Sequence, residues 1–273
     1  MPVRSSFNPP QGHSPILFPT LEILHLDPEN FGDVLPFIRW VRLPQLRDFR
    51  VFNKTAFSNG SHLEELLSHL SAFKLLSDVT ILAIPNIFGP SPLNTLTATS
   101  FAPLLDLHSL SVLDVNPNMA IDLDDDVLAA MATAWPRIKV LSIVPSLELP
   151  TKPRATLGAL IPLVTQCPLL CSVALPLDLL IPEKYIRCDM RTYRSNRKWA
   201  AFDIWYWSDV VADNWIMADF LCELLPTVHN AFSVRRVGFA KPYFKSWLLF
   251  QRYVKLFGGY QEKPRPSSVL SEP

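Results

Sequence analysis

Apolar residues recur along the chain in one short spacing, apolar-x-x-apolar-x-apolar, in which the last three positions alternate as they do in a β-strand. The first example runs from Leu21 to Leu26 and the second from Leu46 to Val51. Further examples begin at Val79, Leu110, Ile138, Leu170, Trp199 and Val234. The eight starts lie 25 to 35 residues apart. This regularity predicts a series of similar units, each opening with a strand.

The segments between most of these strands have apolar residues at helical spacing. Helices are predicted at 31–41, 62–73, 101–107, 124–135, 156–167, 215–228 and 244–257. Ser61 and Glu64 are three residues apart, which is the spacing of a capping box at a helix start. One strand and one helix cannot bury an apolar face alone, so a stacked array of units is expected.

The predicted fold class is therefore α/β, in the form of a leucine-rich-repeat solenoid of about eight irregular repeats. Such a horseshoe has a parallel concave sheet and convex helices. The repeats are expected to occupy residues 18–257, after a flexible N-terminal segment at 1–17 and before a disordered tail at 258–273. Eight strands at ~4.8 Å spacing would make a sheet on the order of 40 Å wide. That width suits a protein partner.

In each strand the second and third apolar residues are expected to point inward, and their neighbours to point onto the concave sheet. The residues predicted to bind an unknown protein target there are His25, Asp27, Asp48, Arg50, Asp114, Asp203, Trp205 and Trp207. Trp205 and Trp207 belong to an aromatic cluster between 199 and 215, and exposed tryptophans are typical of interaction hot spots. Core packing is the alternative and is favoured, because aromatic side chains contribute so much buried area.

The charge balance argues against nucleic-acid binding. Lysine plus arginine and aspartate plus glutamate both number 25, whereas nucleic-acid binders usually have a basic excess. A local basic cluster between Arg187 and Lys198 could meet phosphate groups or an acidic surface, but such a run is more often a solvated loop. Residues 155–177 are uncharged, yet three prolines interrupt them. A helix followed by a strand is predicted there rather than a membrane span.

The sequence predicts neither a metal site nor a catalytic one. The four cysteines form no CxxC pair, and no histidine has zinc-finger spacing from them. The acidic run Asp122 to Asp126 lacks the glycine and glutamate of a calcium loop, so Asp124 or Asp125 is predicted to cap a helix. Glycine-rich phosphate loops, GxSxG and HExxH are missing too. A non-enzymatic protein without a cofactor is expected, and with no signal peptide at 1–20 its location is predicted as cytoplasmic or nuclear.

One stretch of sequence is more specific than the repeat spacing. Asp122-Leu123-Asp124-Asp125-Asp126 is followed by Ala134-Trp135-Pro136-Arg137-Ile138, and later by Arg154-Ala155-Thr156-Leu157, Leu160-Ile161-Pro162-Leu163 and Cys167-Pro168. These sequence motifs resemble the repeat region of basidiomycete fungal F-box proteins, and the resemblance covers roughly residues 18–257. The resemblance implies the substrate-recognition part of a cullin-RING ubiquitin ligase.

The F-box itself is a helical module that binds the ligase adaptor, and residues 1–20 are too short and too proline-rich to hold one. A ligase adaptor is therefore expected as a partner only if an F-box lies upstream. The alternative is a shortened repeat protein that binds or sequesters its partner without any ligase role.

Overall fold

The computed structural model describes residues 14–29, 31–53, 60–83, 95–145, 152–179, 181–182, 185, 190–193, 200–206, 220–225 and 232–236. Within these residues the protein is α/β, with one eight-stranded parallel sheet whose strand order follows the chain. Its strands are β2 (Ile23–Leu26), β4 (Asp48–Asn53), β5 (Asp78–Ala83), β7 (Val112–Asn116), β9 (Val140–Ile143), β10 (Ser172–Pro176), β11 (Ala201–Tyr206) and β12 (Phe232–Arg236). The predicted fold class is thus confirmed as α/β with a parallel sheet.

Two smaller parallel pairs accompany this sheet. β1 (Ile16–Leu17) pairs with β3 (Val41–Arg42), and β6 (Thr95–Thr97) pairs with β8 (Ala120–Asp122).

Five α-helices lie between the strands in the described parts of the chain. They are α1 (Val34–Trp40), α2 (Gly60–Leu70), α3 (Ala98–Phe101), α4 (Asp125–Ala134) and α5 (Leu160–Gln166). Single 3-10 turns occur at Phe31–Asp33, Ala102–Asp106, Leu157–Ala159 and Met190–Tyr193. Residues 220–224 are also helical, inside the range predicted at 215–228. The helix predicted at 244–257 and the tail at 258–273 lie outside the described residues.

The uncharged stretch at 155–177 forms α5 followed by β10, as predicted. The longest described helix, α2, has 11 residues. No helix in the described residues is both long and apolar enough to cross a bilayer.

The inward side chains of the sheet meet the helices in one continuous apolar core. From β4 to β11 the register aligns the second apolar position of each strand across the sheet, and these residues are almost wholly buried. They are Phe49, Val79, Leu113, Leu141, Val173 and Phe202. In these strands, apart from β5, the period-2 alternation of the sequence therefore assigns the two faces of the sheet correctly.

Two of the eight predicted units have the wrong phase. Val79 was expected to open its unit, but it pairs with Phe49 and so occupies the second apolar position; the unit opens at Leu76. Likewise Val234 pairs with Ile204 and occupies the third position. Because 75–84 contains several apolar residues, the spacing fits in two phases there, and the sequence pattern alone does not separate them.

A tight turn before each of the strands β4, β5, β7, β9 and β10 sets the phase. The amide of the opening residue donates to the carbonyl oxygen three residues earlier, as Leu46 does to Leu43 at 3.2 Å and Leu76 to Phe73 at 2.9 Å. The same bond recurs at Leu110, Ile138 and Leu170. The proline that often follows the acceptor residue suits this turn, because proline pre-sets the backbone angle of its second position.

Backbone hydrogen bonds also join each unit to the next at one recurring position. The carbonyl oxygen of Glu22 accepts from the amides of Arg47 and Asp48, at 2.8 and 3.0 Å. The carbonyls of Arg47, Ser77, Ser111, Lys139 and Cys171 each accept two amides of the following unit in the same way. We call these the joint carbonyls. They hold the strands in register whatever side chains stand there.

The acidic run before α4 connects neighbouring units. Asp124 caps α4 by accepting from the amide of Val127 at 3.1 Å, which confirms the predicted cap. Asp125 accepts from the amide and hydroxyl of Thr156, at 2.6 and 2.7 Å. Asp122 pairs with the Nε of Arg154 at 2.6 Å. These aspartates therefore bind the segment that precedes α5.

The predicted capping box at Ser61 differs from the structure. Helix α2 begins at Gly60, so Ser61 lies within its first turn. Glu64 accepts instead from the hydroxyl of Ser100, at 2.6 Å, at the end of the next helix along the chain. Ser100 in turn accepts from the amide of Thr97 at 3.0 Å.

Candidate interaction surface

The sheet face opposite the core displays one row of mainly polar side chains, one residue from each strand. We call it the middle row, and from β2 to β11 it consists of His25, Arg50, Thr80, Asp114, Ser142, Ala174 and Asp203. Successive residues of a strand point to opposite faces, and parallel register places equivalent residues side by side at ~4.8 Å. The row therefore follows directly from the alternation in each strand.

Four of the predicted site residues come together in this row: His25, Arg50, Asp114 and Asp203. Asp48 lies on the same face, two residues before Arg50 on the same strand. Trp205 is in β11, where it pairs with Pro176, two register positions beyond the middle row. Trp207 lies outside the described residues.

Asp27 does not join the row. It follows the end of β2 and is exposed. Its neighbours there include Leu26, Pro28 and Phe37, with which it lines a small pocket between β2 and α1. Since it is beside a helix at the edge of the sheet, it is separate from the other predicted residues.

In β2 and β4, at the start of the row, the charged side chains pair with one another. Arg50 forms a bidentate pair with Asp48, with Nε–Oδ1 and Nη2–Oδ2 distances of 2.9 and 2.7 Å. The hydrogen bond to Asp48 and its negative charge raise the pKa of Arg50 above its ordinary value. The imidazole Nε2 of His25 lies 3.8 Å from Asp48 Oδ2. This end of the face is therefore a local network rather than a set of free charges.

Asp78 and Thr80 belong to the face and were missed by the sequence prediction. Asp78 is the register partner of Asp48, and its carboxylate accepts from the hydroxyl of Ser77. Both residues were missed because the wrong phase of this unit put other residues on the outer face. The turn between Phe73 and Leu76, which matches the one ending at Leu46, is the signal that could have found them.

Asp114 is a partly buried carboxylate of the row. It stands between Thr80 and Ser142 on the neighbouring strands. Burial raises its pKa above the ordinary value of 3.8, and a hydrogen bond with Ser142 opposes that shift in part. In the described residues neither Asp114 nor Asp203 takes part in an ion pair. Asp114 is thus a half-buried carboxylate with a hydroxyl partner and no cation paired with it among the described residues.

From β2 to β11 the outer face has an acidic balance, although the chain as a whole is neutral. Between β2 and β11 the described outward positions hold four carboxylates against the single guanidinium of Arg50. The carboxylates are those of Asp48, Asp78, Asp114 and Asp203. Since Arg50 neutralises Asp48, the remaining negative charge lies toward β5, β7 and β11.

Apolar side chains border the row at its N-terminal end. Ile23, two residues before His25 in β2, is 56% exposed. Phe52, two residues after Arg50 in β4, is 41% exposed. Further along, the row is lined by small residues, and Ala174 is only 9% exposed. The face thus combines exposed apolar area with a shallow polar floor, as protein-binding surfaces do.

No protein-family model matches this chain, and no curated protein sequence matches it. The predicted relationship to F-box repeat proteins therefore stays a prediction. Within the described residues no three His, Cys, Asp or Glu side chains are grouped closely enough to hold a metal ion.

Proposed function

We propose that this protein is a leucine-rich-repeat solenoid that binds another protein on the outer face of its parallel sheet. The observation that carries the proposal is the middle row. Consecutive strands present one aligned line of polar side chains, flanked by the exposed Ile23 and Phe52, while the helices pack on the other face. The recurring turn and the joint carbonyls support the repeat architecture, since both features return in unit after unit.

The role proposed is recognition without catalysis. On the described face Arg50 is held in a static pair with Asp48, and the carboxylates of Asp78 and Asp114 accept hydrogen bonds from the hydroxyls of Ser77 and Ser142. By its resemblance to fungal F-box repeats, the protein would serve as a substrate-recognition subunit of a ubiquitin ligase. The ligase role depends on an adaptor-binding module, whereas the binding role needs only the sheet.

Site-specific photo-crosslinking tests the binding role. A photoreactive phenylalanine analogue at Thr80, in the middle row, should give adducts of defined mass in fungal lysate. The matched control carries the same analogue at Ala130, which is exposed on α4. Adducts from Ala130 but none from Thr80 would place the interaction on the helices and contradict the proposal.

Affinity purification of the tagged protein from the same lysate tests the ligase role separately. Recovery of a cullin together with its adaptor subunit is the expected result. If neither is recovered while the Thr80 adducts persist, the ligase role is wrong and the binding role stands.

A further inference from the structure

The carboxylates at the centre and far end of the middle row define the kind of partner that this face fits. Asp114 and Asp203 stand in the same row, three strands apart. At ~4.8 Å per strand the separation is about 14 Å. Between them are only Ser142 and Ala174, whose short side chains leave room for a backbone to approach.

An extended peptide rises ~3.3 Å per residue, so about four residues span the distance from Asp114 to Asp203. Residues four apart in an extended chain point to the same side. Two side chains at positions i and i+4 of such a peptide would therefore reach both carboxylates at once.

The charges determine which side chains these should be. Asp114 is half buried and accepts a hydrogen bond from the Ser142 hydroxyl, and within the described residues neither Asp114 nor Asp203 has an ion pair. A buried carboxylate without a cation is costly, and an opposite charge that arrives with a partner offsets that cost. Asp78, diagonal to Asp114 across β5 and β7, adds to the attraction.

We infer that the middle row binds an extended segment of another protein that carries lysine or arginine at positions i and i+4. One basic side chain contacts Asp114, the other contacts Asp203, and the backbone between them crosses Ser142 and Ala174. This inference rests on the proposed binding role and names the chemistry of the partner.

Fluorescence anisotropy with synthetic peptides tests this partner chemistry on the full chain. The probe is a labelled, otherwise uncharged peptide with two arginines four positions apart. One comparison peptide has glutamates at the same positions, and another has the two arginines adjacent. The protein should bind the first peptide most tightly, and its affinity should fall as salt is raised.

Single substitutions then locate the bound peptide. Asp114→Asn and Asp203→Asn should each weaken binding of the first peptide by about three- to tenfold. Asp126→Asn is the matched control, since it removes the same charge from an exposed position on α4, and it should change affinity less than twofold. Thermal unfolding of each variant checks that the fold is intact.

Two results would overturn the inference. Equal losses in all three variants would show that overall charge, and not the row, attracts the peptide. Equal binding of the glutamate peptide would show that the face has no preference for basic side chains.

A bulky substitution separates this inference from the binding role. Ser142→Trp should block any partner on the row, including one captured through Thr80. A captured partner that is lost with Ser142→Trp but unaffected by Asp114→Asn and Asp203→Asn would refute the basic segment and leave the binding role standing. A partner unaffected by all three would refute both.

Discussion

Two adjacent leucines offer a sharp test of how the third unit is placed. Leu76 is 0% exposed and lies in the core, whereas Leu75, its neighbour in the turn, is 40% exposed. The turn bond between the Leu76 amide and the Phe73 carbonyl fixes this difference. We predict that Leu76→Ala destabilises the protein strongly and that Leu75→Ala does so only weakly.

The magnitudes follow from burial. Replacing a fully buried leucine by alanine costs about 3–5 kcal/mol, because the cavity adds to the lost transfer free energy. A leucine that is largely exposed loses much less on truncation, and about 1 kcal/mol is a reasonable upper value for Leu75. The two variants should therefore differ by about 2 kcal/mol or more, which is roughly a 30-fold difference in the folding equilibrium.

Urea denaturation followed by far-UV circular dichroism measures both free energies of unfolding. Leu82→Ala adds a third point, because the spacing that begins at Val79 would have buried Leu82, whereas the structure leaves it half buried on the outer face. Its loss should be smaller than that of Leu76→Ala. Equal losses at Leu75 and Leu76, or the largest loss at Leu82, would refute the placement of this unit.

Three further predictions concern single side chains. Trp135→Phe removes the buried indole N–H that donates to the Leu104 carbonyl at 3.1 Å, and should cost about 2–4 kcal/mol in urea denaturation. Gly158→Ala should cost about 1–3 kcal/mol in the same assay, because a Cβ there would stand 2.9 Å from Pro182 Cγ. Asp114→Asn should raise the thermal midpoint at neutral pH, because it removes a carboxylate whose charged form is penalised by burial. That gain should vanish in acid.

The sign of the last effect follows from the raised pKa of Asp114. The favourable contribution of this residue to folding is complete below its ordinary pKa of 3.8 and is lost as the pH rises through the higher pKa of the folded state. A midpoint that is lower for the variant at neutral pH would contradict this reasoning. For Trp135 and Gly158, a change in unfolding free energy below about 0.5 kcal/mol would do so.

The fold class could be predicted because each strand carries its own alternation. At Leu46 to Val51 and at Ile138 to Ile143 the spacing has a single phase, and the observed strands agree. In the unit around Leu76 the apolar residues are too dense for one phase to stand out. There the backbone turn before the strand determines the phase, and residue type predicts turn geometry only weakly.

The candidate surface was predicted in part for the same reason. His25, Arg50, Asp114 and Asp203 come from units with the right phase and share the middle row. Asp78 was missed with its unit. Asp27 was predicted to lie on the concave sheet, but it is one residue beyond the end of β2. The alternation of apolar and polar residues does not show where a strand ends.

Side-chain partners could not be predicted from spacing. The bidentate pair of Arg50 with Asp48 depends on rotamers, and the bond from Trp135 to Leu104 joins residues 31 apart in sequence. Such contacts arise only once the units are stacked.

The joint carbonyls have a consequence for how the sequence of this protein can evolve. They belong to the main chain, so the connection between units places little demand on residue type. The outward side chains are likewise free of the core. The residues of the middle row could therefore be replaced one by one during evolution while the backbone of the sheet is kept. The outward side chains and the backbone of the sheet can thus evolve at different rates.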